Sequence, residues 1–222
     1  MEFHPQKCQV LRITNKRNII KRIYNIHNIP LEETSSAKYL GVTIDSKLNW
    51  KRHISETVKK ANKTLSFIRR NLLDCPSNVK IDCYTTLVRP ILEYGSVVWD
   101  PHHKTDIENI EKVQKRAARF ATSNYKMEEG STRTNMIQLN WKPLVERRAE
   151  LKLLTFFKAK HQLVDIPFYH LKQNVRRSNN FFIPPSNVDS HLHSFYPSTI
   201  RLWNSLPNNL KILIQLTPLK TT

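Results

Sequence analysis

Residues 38–45, which read KYLGVTID, separate a short strand-like N-terminal piece from a long series of basic segments. Apolar Leu40, Val42 and Ile44 alternate with other residues, which is the pattern of a single β-strand buried on one face. Gly41 is informative because the chain holds 3 glycines in all, and glycine weakens a strand interior. Two interpretations stay open: Gly41 marks a bulge or a packing contact, or a ligand or another backbone approaches it closely.

The residues before this stretch predict further short strands. Residues 7–14 and 22–26 are β-rich runs separated by a polar turn, and we expect them to join residues 38–45 in a small antiparallel sheet. A three-stranded edge cannot bury both of its faces by itself. Residues 1–45 therefore predict the end of a larger domain, within a fold of the α+β class that is mostly α.

Two basic helices are predicted beyond this piece. Residues 49–73 have apolar residues at alternating steps of four and three, and Asp45 or Ser46 is the expected N-cap. On or near the opposite side of this helix lie Lys51, Arg52, Lys59, Lys63 and Arg70. Residues 105–121 predict a second such helix, whose polar face stacks Lys112, Lys115, Arg116 and Arg119. A charge run is usually a solvated face, but a stripe of one sign fits a sugar-phosphate backbone better.

The remaining segments predict helical and loop-rich structure. Residues 79–99 read as a helix interrupted at Pro90 and as the centre of the helical core. Pro143 opens a helix that continues to about residue 161, and a loop-rich stretch follows. The sequence TIRLWNSLP at residues 199–207 predicts an amphipathic turn or two, with Trp203 as a core anchor.

The charge balance points to a polyanionic partner. The chain has 36 Lys and Arg against 18 Asp and Glu, a formal charge of +18, which makes nucleic acid the first candidate and a membrane surface the second. No apolar run approaches the roughly 18 residues of a spanning helix, and the N-terminus lacks a signal-peptide core. We therefore expect an intracellular protein without a membrane partner. The 3 cysteines and 9 histidines have no zinc-knuckle spacing, so no metal site is expected.

Five segments in order resemble the C-terminal part of the reverse transcriptases of non-LTR retrotransposons, jockey-like elements in particular. The segments are MEFHPQKC, YLGVTIDSKLNW, TLVRPILEYGSVVWDP, KVQKRAARF and RLWNSLP. The resemblance implies that residues 1–45 end the polymerase palm, 46–125 form a helical thumb and 126–222 form a C-terminal lobe. It also implies that Lys7 is a candidate proton donor to the leaving pyrophosphate. Tyr39 and Gly41 would lie in the strand that grips the primer end.

One family feature is missing from the sequence. Reverse transcriptases hold two Mg²⁺ ions with a pair of aspartates, and no two aspartates are adjacent in this chain. We therefore expect a fragment of an RNA-directed DNA polymerase that binds the template-primer duplex but does not polymerise alone. Mg²⁺ and the rest of the palm and fingers would belong to the complete polymerase, which acts in the nucleus. Two alternatives stay open: a stand-alone basic module that binds nucleic acid without catalysis, and a non-functional relic.

Overall fold

The computed structural model describes residues 4–126, 130–168, 171–173 and 180–211. Short strands occupy the N-terminal part and helices the rest. The strands are β1 (Gln9–Leu11), β2 (Asn25–Ile26), β3 (Ile29–Pro30), β4 (Glu32–Thr34), β5 (Ser36–Tyr39) and β6 (Val42–Asp45). The helices are α1 (Lys51–Asn71), α2 (Ser77–Cys83), α3 (Arg89–Glu93), α4 (Ser96–Trp99), α5 (Lys104–Thr122), α6 (Ser131–Gln138), α7 (Leu144–Lys160), α8 (Asp189–Leu192) and α9 (Phe195–Ser205). The mostly helical α+β class is confirmed.

The strands form three separate pairs, so the prediction of one three-stranded antiparallel edge is wrong. β1 pairs with β4 in parallel, whereas β2 with β3 and β5 with β6 are antiparallel. β4 lies in a polar stretch outside the predicted strands, and it forms because its backbone completes the ladder of β1. Lys7 ends a 3₁₀ turn, Pro5–Lys7, ahead of β1.

The stretch KYLGVTID is a hairpin rather than the single strand predicted above. Tyr39 pairs with Val42 across a two-residue turn made by Leu40 and Gly41. Both turn residues have positive φ, 45° at Leu40 and 83° at Gly41, as a type I′ hairpin turn requires. A leucine in the left-handed region is unusual, because its Cβ crowds the backbone there. The apolar residues Leu40, Val42 and Ile44 alternate across the turn, so the pattern alone does not reveal that Leu40 lies in the turn and not in a strand.

Helix α1 begins and ends close to the predicted boundaries, but its predicted N-cap is wrong. The residue before the helix is Trp50, which provides no side-chain cap. Asp45 instead accepts a hydrogen bond from the Lys47 N–H at 2.8 Å, which closes a local turn. The predicted apolar stripe is buried at Ile54 and Leu65, among others, which explains why this segment is helical in the fold.

The segment 79–99 is helical but broken into pieces. A π-helical turn, Tyr84–Val88, joins α2 to α3 immediately before Pro90. Proline lacks the N–H that would continue the α-helical ladder, so a local change of hydrogen-bonding pattern is the expected accommodation. Gly95, with φ of 63°, then separates α3 from α4.

The chain divides into two compact units. Unit 1 comprises residues 1–94 and 103–132, and within it α1 packs against α3 and α5. Unit 2 comprises residues 95–102 and 133–222, and within it α7 packs against α4 and α9. The core of unit 2 is aromatic: Phe156, Phe181 and Trp203 are buried together with Ile200. The assignment of palm, thumb and C-terminal lobe stays a prediction.

Unit 2 also buries an ion cluster. Asp100 Oδ1 lies 2.7 Å from Arg148 Nε, and Asp100 Oδ2 lies 2.6 Å from Lys152 Nζ. The side chains of Arg148 and Lys152 are 0% and 5% exposed. These two cations therefore serve the interior of unit 2 rather than a nucleic-acid surface. Within the described ranges, no helix is both long and apolar enough to span a membrane.

Candidate nucleic-acid interface

The β5–β6 hairpin is held against α3 by Tyr94. The Tyr94 hydroxyl donates a hydrogen bond to the carbonyl oxygen of Leu40 at 2.9 Å, so the turn is tied to a residue far along the chain. A Cβ added at Gly41 would lie 3.2 Å from Cε1 of the Tyr94 ring, which is tighter than an ordinary contact. The positive φ and this ring together explain the glycine at position 41. The predicted role of Gly41 in approaching a primer backbone stays a prediction.

A cleft opens beside this turn within unit 1. It has a volume of about 360 Å³ and lies between the hairpin, α1 and α3. Its lining is Lys38, Leu40, Gly41, His53, Glu56, Thr57, Lys60, Ile91 and Tyr94. Two lysines and one glutamate give this lining a net positive charge, which suits an anionic ligand.

His53 joins the hairpin to α1 at the base of the cleft. The backbone N–H of Thr43 donates to Nδ1 of His53 at 3.2 Å, so Nδ1 carries no proton. His53 is buried, and burial lowers its pKa, with the positive charge of Lys38 acting in the same direction and Glu56 opposing it. The imidazole is therefore a neutral structural acceptor at pH 7.

Glu56 is the carboxylate of the cleft, and both of its oxygens are engaged. Oε2 accepts a hydrogen bond from the Thr43 hydroxyl at 2.9 Å, and Oε1 accepts one from Arg52 Nε at 3.0 Å. These two hydrogen bonds, in that order, lower the pKa of Glu56. A pair of Mg²⁺ ions needs several free carboxylate oxygens. Glu56 is the one carboxylate in the lining, and both of its oxygens are engaged, so the cleft does not fit that pair of ions.

Four cations form a line along the exposed side of α1. Arg52, Lys59, Lys63 and Arg70 follow one another at steps of seven, four and seven residues, which keeps them on one side of a helix. All four are exposed, and the line extends over about 27 Å at the helical rise of 1.5 Å per residue. We call these residues the α1 stripe. Arg52 is partly committed, because it also donates to the Ser36 hydroxyl at 2.7 Å.

Three of the four predicted cations of α5 are exposed. Lys112, Lys115 and Arg116 are exposed, and Arg116 Nη1 donates to Asn62 Oδ1 of α1 at 2.8 Å. Arg119 is only partly exposed and donates to the Thr132 hydroxyl at 3.0 Å. We call the three exposed residues the α5 stripe. The bond between Arg116 and Asn62 places the two stripes on adjoining helices of the same unit.

The other predicted site residues lie at the surface of unit 1. Tyr39 is 67% exposed at the hairpin, next to the turn. Lys51 is exposed in the first turn of α1, at the side of the α1 stripe, and Lys7 is exposed in the 3₁₀ turn. The Lys7 side chain has no hydrogen bond or ion pair with any residue that the structure describes. Its role as a proton donor stays a prediction.

Sequence reasoning missed the residues that shape the cleft. Tyr94 and His53 reach the hairpin from α-helical segments, and no local pattern marks either of them as a neighbour of Gly41. Lys60 is not among the predicted site residues, although it is exposed and lines the cleft. The one local signal at Tyr94 is Gly95, which marks the end of the helix but does not indicate the contact with the hairpin.

The chain is similar to three proteins of Drosophila melanogaster. The probable RNA-directed DNA polymerase from transposon BS is 30% identical over 101 residues, 44% of this chain and 11% of that protein. The probable RNA-directed DNA polymerase from transposon X-element is 27% identical over 125 residues, 54% of this chain and 13% of that protein. The RNA-directed DNA polymerase from mobile element jockey is 25% identical over 124 residues, 54% of this chain and 13% of that protein.

The similarity is limited to part of each protein. The matched region spans little more than a tenth of the length of these curated relatives. No family model and no solved structure matches the chain. All three relatives are RNA-directed DNA polymerases of transposons or mobile elements, which is the kind of protein that the five sequence segments resemble. The chain is thus a relative of a segment of the reverse transcriptases of jockey-like non-LTR retrotransposons.

Proposed function

We propose that this chain is the duplex-binding segment of a retrotransposon RNA-directed DNA polymerase, which holds the template-primer backbone on unit 1. The observation that carries the proposal is the pair of exposed stripes on α1 and α5, joined by the hydrogen bond from Arg116 to Asn62. Lysine and arginine side chains in a line bind phosphates without reading bases. The positively lined cleft and the exposed Tyr39 would hold the primer end beside them.

The contribution of phosphate contacts is measured by the salt dependence of binding. Each phosphate that is neutralised steepens the plot of log affinity against log salt by about 0.9 for B-form DNA. Replacing Lys59, Lys63 and Arg70 of the α1 stripe with Ala should therefore flatten that slope by up to about 2.7. Alanine preserves helix propensity, so α1 should persist.

A matched control separates the stripe from net charge. Lys16, Arg17 and Lys21 are exposed in unit 1 outside both stripes, and replacing them with Ala removes the same three charges. Fluorescence anisotropy with a labelled DNA duplex of about 20 base pairs, to which the value of about 0.9 applies, would give both slopes, and an RNA–DNA hybrid of the same length would test the template-primer. Equal slopes for the two triple variants would refute backbone binding by the α1 stripe.

The competing functions are distinguished by the same binding measurement and by polymerisation. A non-functional relic of charge +18 would bind the hybrid only diffusely, with the same loss of salt slope for the stripe variant and the control variant. A stand-alone binding module and a polymerase segment would both bind, but only the segment should restore nucleotide incorporation to a polymerase that supplies the catalytic aspartates. Activity of the complete polymerase, its need for Mg²⁺ and its action in the nucleus remain parts of the proposal.

A further inference from the structure

Three potential metal ligands converge at the surface of unit 2. His102 Nε2 lies 3.2 Å from Asp189 Oδ2, and His193 Nε2 lies 3.5 Å from Asp189 Oδ1. One ligand atom from each of the three residues lies within 4.8 Å of the others. In the part of the chain that the structure describes, this is the one group of three or more such ligands.

Two distant pieces of the sequence build this cluster. His102 belongs to the segment that follows α4, whereas Asp189 is the first residue of α8 and His193 follows the end of that helix. Asp189 and His193 are four residues apart, which places them on the same side of one helical turn. The three side chains are 26%, 67% and 35% exposed, so the cluster lies at the surface of unit 2, although His102 Nε2 itself is buried.

The ligand types and their separations fit a tetrahedral ion. Two ligands that each lie about 2.0–2.1 Å from Zn²⁺ at tetrahedral angles are about 3.3–3.4 Å apart. The two nitrogen–oxygen distances of 3.2 and 3.5 Å fall on either side of that value. Two imidazoles and a carboxylate are a known ligand set for zinc, with a water in the fourth position.

One adjustment is required before the ion binds. The rings of His102 and His193 are stacked, with centroids 3.9 Å apart and planes inclined by 4°. A metal ion lies near the plane of each imidazole that binds it, and two parallel planes share no such point. One of the two rings must therefore tilt, and His193 has more room to do so, since its side chain is 35% exposed and that of His102 is 26% exposed.

We propose that His102, Asp189 and His193 bind a divalent transition-metal ion, with Zn²⁺ as the best fit to this ligand set. The ion would connect the segment after α4 to α8 and so strengthen unit 2. Because the ligands come from two chain segments, the site exists in the folded state only, and metal binding then stabilises the fold. The proposal is independent of nucleic-acid binding by unit 1.

The experiment titrates the chelator-treated full chain with Zn²⁺ and measures stoichiometry, affinity and melting temperature. We expect one tightly bound ion per chain and, at 100 times the dissociation constant, a rise in melting temperature of about 5 °C or more. His193→Asn and Asp189→Asn should each weaken binding at least about 100-fold and remove the shift. Co²⁺ serves as a spectroscopic probe, whose visible bands should be those of a tetrahedral site.

A neighbouring histidine provides the matched control. His191 lies between the two ligands in sequence, but its Nδ1 makes a 2.8 Å hydrogen bond with the Ser186 hydroxyl. His191→Asn should keep both the ion and the thermal shift. Circular dichroism of each metal-free variant checks that unit 2 is folded. Equal binding by the His191 and His193 variants, or no tight binding by the native chain, would overturn the proposal.

Discussion

Replacing Asp100 with Asn should destabilise unit 2 by about 3–5 kcal/mol. The carboxylate of Asp100 lies within 2.7 Å of Arg148 Nε and within 2.6 Å of Lys152 Nζ, and both cationic side chains are nearly fully buried. Asparagine has the same size but no charge, so two buried cations would lose their counter-charge. Since domains are stable by about 5–15 kcal/mol, this is a large part of the total.

Urea unfolding followed by tryptophan fluorescence measures this loss. Trp99, Trp141 and Trp203 lie in unit 2, whereas Trp50 lies in unit 1, so the signal reports mainly on unit 2. The control is Glu150→Gln, which breaks a pair with Lys142 whose two side chains are 57% and 53% exposed.

An exposed pair of this kind contributes about 0–1 kcal/mol. If Asp100→Asn costs no more than Glu150→Gln, the reasoning about the buried cluster is refuted. Removing one orphaned cation should also rescue the fold in part: Asp100→Asn with Lys152→Met should lose less stability than the two single changes added together.

Four further outcomes are expected. Leu40→Asn should raise the stability of unit 1 by about 1 kcal/mol, because asparagine tolerates the left-handed turn conformation better than leucine; a lower urea midpoint would contradict this. Because burial depresses the pKa of His53, unit 1 should lose stability as pH falls below about 6.5, when the unfolded chain takes up a proton that the folded chain resists; His53→Gln should flatten that pH profile. Burial also lowers the pKa of Lys160, so the native chain should gain stability as pH rises toward about 10.4, where the folded chain has already released this proton. Lys160→Met should therefore stabilise unit 2 at pH 7, and the difference in unfolding free energy between this variant and the native chain should decrease as pH rises toward that value. The chain alone should incorporate no nucleotide on a primed RNA template with Mg²⁺, and any incorporation would contradict its description as a non-catalytic segment.

The long helices were predictable because their apolar spacing is a local property. Residues 49–73 and 105–121 were predicted, and the structure has Lys51–Asn71 and Lys104–Thr122. The end signals were less reliable, since the predicted cap at Asp45 forms a turn with Lys47 instead. A side chain that is able to cap a helix is equally able to accept a nearer backbone N–H, and the sequence does not distinguish the two outcomes.

The hairpin was missed for a different physical reason. Two-residue hairpin turns are usually recognised in a sequence by Asn-Gly or Asp-Gly, whereas this turn has Leu40 before its glycine. Leucine is stable there in part because Tyr94, from a remote helix, donates a hydrogen bond to its carbonyl oxygen. A long-range contact of this kind allows a turn whose residues are locally unfavourable, and the residues around the turn do not indicate that the contact exists.

The net charge of +18 overstates the nucleic-acid surface, because position determines what each cation does. Arg148 and Lys152 neutralise Asp100 inside unit 2, and Lys80 is buried over the ring of Phe120 at 5.0 Å from its centroid. These cations cannot release counterions from a phosphate backbone. The salt dependence of binding should therefore follow the number of charges in the α1 and α5 stripes and not the net charge of the chain. A slope that falls equally for any exposed cation removed would indicate diffuse attraction in place of a defined backbone track.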